Sequence, residues 1–396
     1  MNESDPSRRQ FLAGSGLVIA GAAAASLFRG DASVSSSCRA PALIGASTAV
    51  PPNGSNVGAY INSLGSSLGV FQWPAGDYFI EQQAEWPANS TLSGNGPLGG
   101  MATKFHPAPG AFFKNGRTAS VKANGSTWTF TNVPTGHGIR VNDLIACTSA
   151  TVGFTAYSLF VTAVSTNSIT VLNTTMSGKP ASVKLNTHLF RLGPSGNVPA
   201  CLLWNCNVNG DNLPGIGLVI TNGIQEESGT QNCDLNNSLW NAITVAKPPG
   251  TGGIGPTNFS FDHNRCVTDS STPGIDPLKY TYYESANGSS PGTVTDMTAT
   301  GGGSAAADVG LFRKSAAHEH FHVEGAAGRG IEIGASYVTL DGASGSSSLT
   351  NGAVVHIDKG NAHTSLFSID PVGAAVTIDD EQTGKTLTGF QTQYFN

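Results

Sequence analysis

The sequence predicts an all-β chain built from many short stacked strands, and three observations lead there. Glycine supplies 50 of 396 residues, about 13% against a usual ~7%, and charged residues only 12% against a usual ~25%. Apolar runs are short and end at Gly, Asn or Asp, and long 3.6-residue periodicities are missing. From about residue 198 a loose repeat runs. Asn205-Cys206-Asn207-Val208-Asn209 is echoed by Asn232-Cys233-Asp234-Leu235-Asn236 and then by Arg265-Cys266-Val267-Thr268-Asp269, at spacings of 27 and 33 residues. Repeats of this length mark solenoids, in which equivalent residues form ladders up the axis. The spacing therefore predicts one column holding Cys206, Cys233 and Cys266. Hydrophobic residues make up 39% of the chain, enough for a large core. The net charge of −6, with no stripe of Lys and Arg, argues against a nucleic-acid partner.

The elements follow in chain order. Residues 1–32 read as a twin-arginine export signal: Ser7-Arg8-Arg9-Gln10-Phe11-Leu12 precedes an uncharged Ala- and Gly-rich run to Phe28. That run is too weakly apolar for a membrane span, so no membrane association is expected after cleavage, and the expected location is periplasmic or extracellular. Three serines precede Cys38, which does not suit a lipid anchor. Residues 33–55 read as a linker. Asn56 to Leu68, with Val57, Tyr60, Ile61 and Leu64 on one face, predicts a short helix. Gly69 to Ile80 reads as strand, turn, strand, because Trp73-Pro74-Ala75-Gly76 cannot continue a ladder. Residues 86–96 repeat the plan. Within 111–195, Ser126–Thr131, Asp143–Thr148, Ser158–Val164 and Ser168–Leu172 alternate apolar and polar residues and predict an inserted small β subdomain, a barrel or sandwich. Residues 196–396 carry the repeats to the C-terminus. Six cysteines suit either buried thiols or disulfides formed after export, and no CxxC pair supports a thiolate zinc site.

Residues 56–96, with a short helix, a strand, Pro74-Ala75-Gly76-Asp77-Tyr78 and Asn89-Ser90-Thr91-Leu92-Ser93-Gly94-Asn95-Gly96, resemble the N-terminal coils of the pectate-lyase superfamily. The resemblance implies a right-handed parallel β-helix in which 56–110 is the capping helix and first coils. It also implies a polysaccharide partner lying along a groove. It does not select an activity, because lyases, hydrolases, epimerases and phage tail spikes share this opening.

Three stretches could carry glycan chemistry. In Asp262-His263-Asn264-Arg265, strand alternation would put His263 and Arg265 on one face, as a base and a cation for a lyase, with Asp262 opposite. In Lys279-Tyr280-Thr281-Tyr282-Tyr283-Glu284, alternation would put Tyr280, Tyr282 and Glu284 together, with Lys279 and Tyr283 opposite; Tyr282 could stack on a sugar and Glu284 could act as a general acid. In His318-Glu319-His320-Phe321-His322 the histidines share a strand face, which suits substrate contact better than a metal. The catalytic candidates are thus Asp262, His263, Arg265 and Glu284, and the substrate-binding candidates Lys279, Tyr282, His318 and His320. Asp211 and Asp234, in successive repeats, are further carboxylates that could stack near one another. No cofactor or metal site is expected, and calcium is not readable from these residues. The expected function is a polysaccharide lyase or glycoside hydrolase. The alternative is a non-catalytic glycan-binding or tail-spike-like structural protein, for which the 354–389 region suggests a homotrimer.

Overall fold

A computed structural model describes residues within 50–381. The exceptions are 65–68, 109–116, 134, 136, 142, 150–156, 173–179, 193–200, 214–215, 222–227, 239–241, 247–259, 269–279, 285–292, 301–307, 313–316, 325–329, 334–338, 342–343, 346–352, 358–364 and 368–375. The signal, Cys38 and Lys279 lie outside the described residues.

The described chain is mostly strand, with almost no helix, and its parallel strands fall into three stacks. The first contains Gly69–Gln72, Ser90–Ser93, Cys201–Trp204, Gly229–Gln231, Ser260–Asp262, Thr293–Thr300, Ala317–Glu324, Thr339–Asp341 and Ser365–Phe367, each paired in parallel with the next. The second follows a corner after each early member of the first: Gly76–Ile80, Thr103–Pro107, Asn207–Leu213, Asp234–Ser238 and Arg265–Thr268, running on into Thr293–Thr300 and Ala317–Glu324. The third holds Ala84–Trp86, the end of Ser182–Leu192, Ile216–Thr221, Ile243–Ala246, Tyr280–Glu284, Asp308–Phe312, Ile331–Ile333, Ala353–Ile357 and Val376–Asp380.

Alternation explains which side chains fill the interior. Tyr78, Phe105, Val208, Leu235 and Cys266 are in register on successive strands, and all are buried. Trp73 sits at the first corner and packs edge-on against Tyr78 at 5.0 Å and Phe105 at 5.3 Å between ring centroids. The Thr103 hydroxyl lies 3.0 Å from the Trp73 carbonyl and 2.9 Å from that of Pro74, so it sits against the corner's exposed acceptors. The helix is shorter than expected, Gly58–Ser63. Its capping carboxylate comes from Glu81, whose oxygens accept from Gly58 N at 2.8 Å and Ala59 N at 2.6 Å.

The corners have a common solution. Asn205, Asn232 and His263 all have left-handed backbones, with φ of 60°, 49° and 50°, a conformation that asparagine tolerates better than most residues. Pairing on either side makes them equivalent positions on three successive strands. This corrects the expected cysteine column. Cys206 and Cys233 are neighbours, Sγ to Sγ 3.7 Å, but the next position up is Asn264. Its Oδ1 accepts from Cys233 N at 3.1 Å. Cys266 lies two residues on, level with Leu235. Cys147, Cys201, Cys206, Cys233 and Cys266 are all free thiols in the interior.

A closed antiparallel barrel interrupts the parallel stacks. Arg117–Asn124, Thr127–Thr131, Ser168–Leu172, Tyr157–Ser165, Leu144–Thr148 and the start of Ser182–Leu192 pair around a ring that returns to Arg117–Asn124. Trp128, Phe130, Ile169, Val171, Val161, Cys147 and Leu185 are buried in it. Strand Ser182–Leu192 belongs to both parts: residues 182–187 close the barrel, and 188–192 join the third stack. Near this join, Arg191 Nη1 meets Asp143 Oδ1 at 2.5 Å with both side chains essentially inaccessible.

Candidate functional site

The outer face of the second stack carries the densest polar constellation among the described residues. One row runs Asp77, Lys104, Asn207, Asp234, Arg265, in register on five successive strands. Two residues further along lie His106, Asn209 and Asn236. The row faces outward because its neighbours Tyr78, Phe105, Val208, Leu235 and Cys266 face in.

His106 is held between two carboxylates. Its Nε2 lies 3.1 Å from Asp77 Oδ1 and its Nδ1 3.1 Å from Asp211 Oδ1. The chain reaches this geometry through a kink. Asp211 has φ 52°, its N–H donates to Asn209 Oδ1 at 2.9 Å, and the pairing with the next strand shifts between Asn209 and Leu213. Asn237, also left-handed, donates its side-chain amide to the same Asn209 oxygen at 3.2 Å. The kink turns the Asp211 carboxylate back onto His106. A histidine can donate from both ring nitrogens only as imidazolium. Burial works against that charge, but the hydrogen bond and charge of Asp211, and then those of Asp77, outweigh it and raise the His106 pKa above its ordinary value.

Asp234 is a second perturbed group on the face. Its Oδ2 accepts from Asn207 Nδ2 at 2.9 Å and Asn236 Nδ2 at 2.8 Å, with Arg265 Nη1 at 3.7 Å. Its Oδ1 is buried with no hydrogen-bond partner among the described residues. Burial raises its pKa, and Arg265 and the Asn236 amide only partly oppose that. The strands of His106 and Asp234 are two spacings apart, ~10 Å.

The residues singled out from sequence fall in several places. Asp262 and His263 are together, Nδ1 to Oδ1 2.7 Å, with Gln231 Nε2 donating to Asp262 Oδ2 at 3.0 Å. His263 and Arg265 do not share a straight strand face. The left-handed corner at His263 separates Ser260–Asp262 from Arg265–Thr268, and Arg265 joins Asp234 instead. Tyr282 does not line a groove: it is fully buried in the core, its ring edge-on to Phe261 at 5.8 Å. Glu284 ends the same strand, in register with Val245, and its side chain lies outside the description. His318 and His320 belong to Ala317–Glu324, where only the backbone is described. Asp77 and His106 were not foreseen. Asp77 reads as a turn residue and His106 as a lone histidine, because its partners are 29 and 105 residues away. Only Asp211 and Asp234 carried a signal, their recurrence in successive repeats.

No protein-family model matches this sequence, and no curated protein matches it. Solved structures similar to it include ORF18 of Geobacillus virus E2, with a TM-score of 0.36 and 10% identity, over 82% of this chain and 56% of that one. The chain thus spans just over half the length of that structure. The mannuronan C-5 epimerase AlgE4 A-module of Azotobacter vinelandii aligns with a TM-score of 0.28 and 11% identity, over 86% of this chain and 95% of that one. The Gp54 tailspike of Acinetobacter baumannii bacteriophage AP22, solved with A. baumannii capsular saccharide, aligns with a TM-score of 0.22 and 10% identity, over 85% and 67%. At these values the likenesses decide neither the fold nor the activity, so the functional reading rests on the chain's own residues.

Proposed function

We propose that this chain is an exported right-handed parallel β-helix protein that binds a polysaccharide along the outer face of the second strand stack and cleaves it by acid–base chemistry. The three parallel stacks are then the faces of the helix, and residues 111–195 are its inserted subdomain. The observation that carries the reading is the Asp77–His106–Asp211 bridge, on the same face as Asp234 and Arg265. Protonated His106 is a proton donor in this scheme, and Asp77 and Asp211 stabilise its charge. Asp234, its pKa raised by burial, is the partner base, whose ionised carboxylate takes up the proton that the step releases. Arg265, half exposed, is placed to meet the carboxylate of a uronic acid.

The test incubates the full chain with uronic and neutral polysaccharides. Ultraviolet-absorbing unsaturated ends report elimination, and reducing ends formed without them report hydrolysis. Wild-type turnover on an anionic polysaccharide, reduced by about 10²-fold or more in His106→Gln and Asp234→Asn, supports the enzyme. Binding without turnover replaces it with a glycan-binding or spike-like module, and no binding to any polysaccharide sinks the reading. Export is tested separately: Arg8→Lys with Arg9→Lys should leave the protein in the cytoplasm.

A further inference from the structure

A second cluster lies on the third stack, away from the face described above. In Ala353–Ile357 the side chains of Val355 and Ile357 belong to the core, so His356 between them projects from the opposite, outer side. The same logic puts Glu332, between the core residues Ile331 and Ile333, on that outer side one strand earlier. Pairing aligns Glu332, His356 and Asp379 on three successive strands, and Glu381 follows Asp379 at the spacing that keeps it on the same side. The outer side therefore carries the order carboxylate, imidazole, carboxylate, with a further carboxylate beside the last. His356 and Glu332 are both buried, whereas Asp379 and Glu381 are exposed.

The ligand atoms converge. His356 Nδ1 lies 2.8 Å from Asp379 Oδ2, and one ligand atom each from His356, Asp379 and Glu381 falls within 4.8 Å of the others. A tetrahedral cation bonded at ~2.1 Å to imidazole nitrogen and carboxylate oxygen holds its ligand atoms ~3.4 Å apart. The His356–Asp379 pair, now hydrogen-bonded, needs to open by only about half an ångström to admit the ion, and Glu381, exposed and long, closes the remainder. Strand Val376–Asp380 is the last member of the stack among the described residues, and its anchoring there includes Glu381 N donating to Ile357 O at 3.0 Å. Ligands from two neighbouring strands would pin this last strand to the one before it.

We infer that His356, Asp379 and Glu381 form a divalent-cation site that clamps the C-terminal end of the third stack. One nitrogen and two carboxylate oxygens favour Zn²⁺, then Mn²⁺, over all-oxygen cations such as Ca²⁺. The buried imidazole fixes the site and the exposed carboxylates close it, leaving positions for water.

The full chain, stripped with chelator and dialysed, is titrated calorimetrically with Zn²⁺, Mn²⁺ and Ca²⁺ separately. The expected result is one Zn²⁺ per chain, weakened at least tenfold by Glu381→Gln and by Asp379→Asn, with circular dichroism unchanged because both side chains are exposed. The thermal midpoint of the wild type should rise with Zn²⁺ concentration, and that of the Glu381→Gln variant should rise only at concentrations at least tenfold higher. Selective uptake of Mn²⁺ or Ca²⁺ that both variants abolish upholds the site and reassigns the ion. Uptake of none of the three, or uptake that neither variant weakens, overturns the inference.

Discussion

Replacing Asp211 by Asn tests the His106 bridge most directly, because it removes a charge and keeps the shape. His106 is mostly covered, its side chain 15% accessible, while Asp211 is 26% and Asp77 55% accessible. A hydrogen bond to a charged, partly buried group contributes about 1.5–3 kcal/mol, and Asp211, a quarter accessible, belongs near the low end, at ~1.5 kcal/mol. The Asp77 arm is more than half exposed and screened by water, so it falls to about 0.5 kcal/mol. The pH dependence has a definite sign. His106 has its pKa raised by folding, so its contribution is fully present below the unfolded value, ~6.5, and is lost as pH rises through the folded value. Urea unfolding of wild type, Asp211→Asn, Asp77→Asn and His106→Gln between pH 4.5 and 9 measures this. The wild-type advantage over His106→Gln should be largest near pH 5–6 and shrink in alkali, and Asp211→Asn should cost more than Asp77→Asn. A pH-independent advantage, or equal costs for the two aspartates, would refute the bridge as described.

Two further outcomes bear on the framework. Arg191→Ala removes the buried counter-charge of Asp143, leaving it the Arg140 N–H and the more distant Arg140 charge in an interior where burial already raises its pKa, and should cost about 3 kcal/mol in urea unfolding; Arg191→Met with Asp143→Leu should recover most of it. Gly229→Ala should abolish soluble expression, because a Cβ there would lie 1.6 Å from the backbone oxygen of Ser260 on the paired strand; Gly100→Ala, with nothing within 4 Å, should be silent.

The sequence made the backbone plan legible where a residue type can serve only one purpose. Pro74 and Gly76 mark the first corner, and the helix, the strands after it and the alternating runs of 126–172 appear close to where they were expected. The repeat was visible too, but its phase was set on cysteine. The physically equivalent residues are the left-handed ones, Asn205, Asn232 and His263, and aligning on Cys266 slipped the last repeat by two residues. Alternation in Tyr280–Glu284 separates two faces without saying which is interior, and Tyr282 turned out to face the core. The polar face was least legible because its bonds are long-range. Nothing near His106 in sequence announces Asp77 or Asp211, and only a left-handed residue in mid-strand brings the latter into reach.

The strand Ser182–Leu192, shared by barrel and parallel stack, also sets an order for folding. Later neighbours in the third stack, such as Leu192 and Ile220 or Ile220 and Val245, are 25–28 residues apart along the chain. Ala84 and its partner Phe190 are 106 apart. That is about two doublings of loop length, ~1.2 kcal/mol of additional closure entropy at roughly 0.6 per doubling. Once the barrel forms, most of that loop is consumed locally, and residues 188–192 emerge from it already extended and ready to seat on Ala84–Trp86. The barrel is in this sense an assembly jig: its pairs to residues 182–187 span 36 to 68 residues, less than the 106 to Ala84, and deliver the one strand that lets the longer stack zip onward.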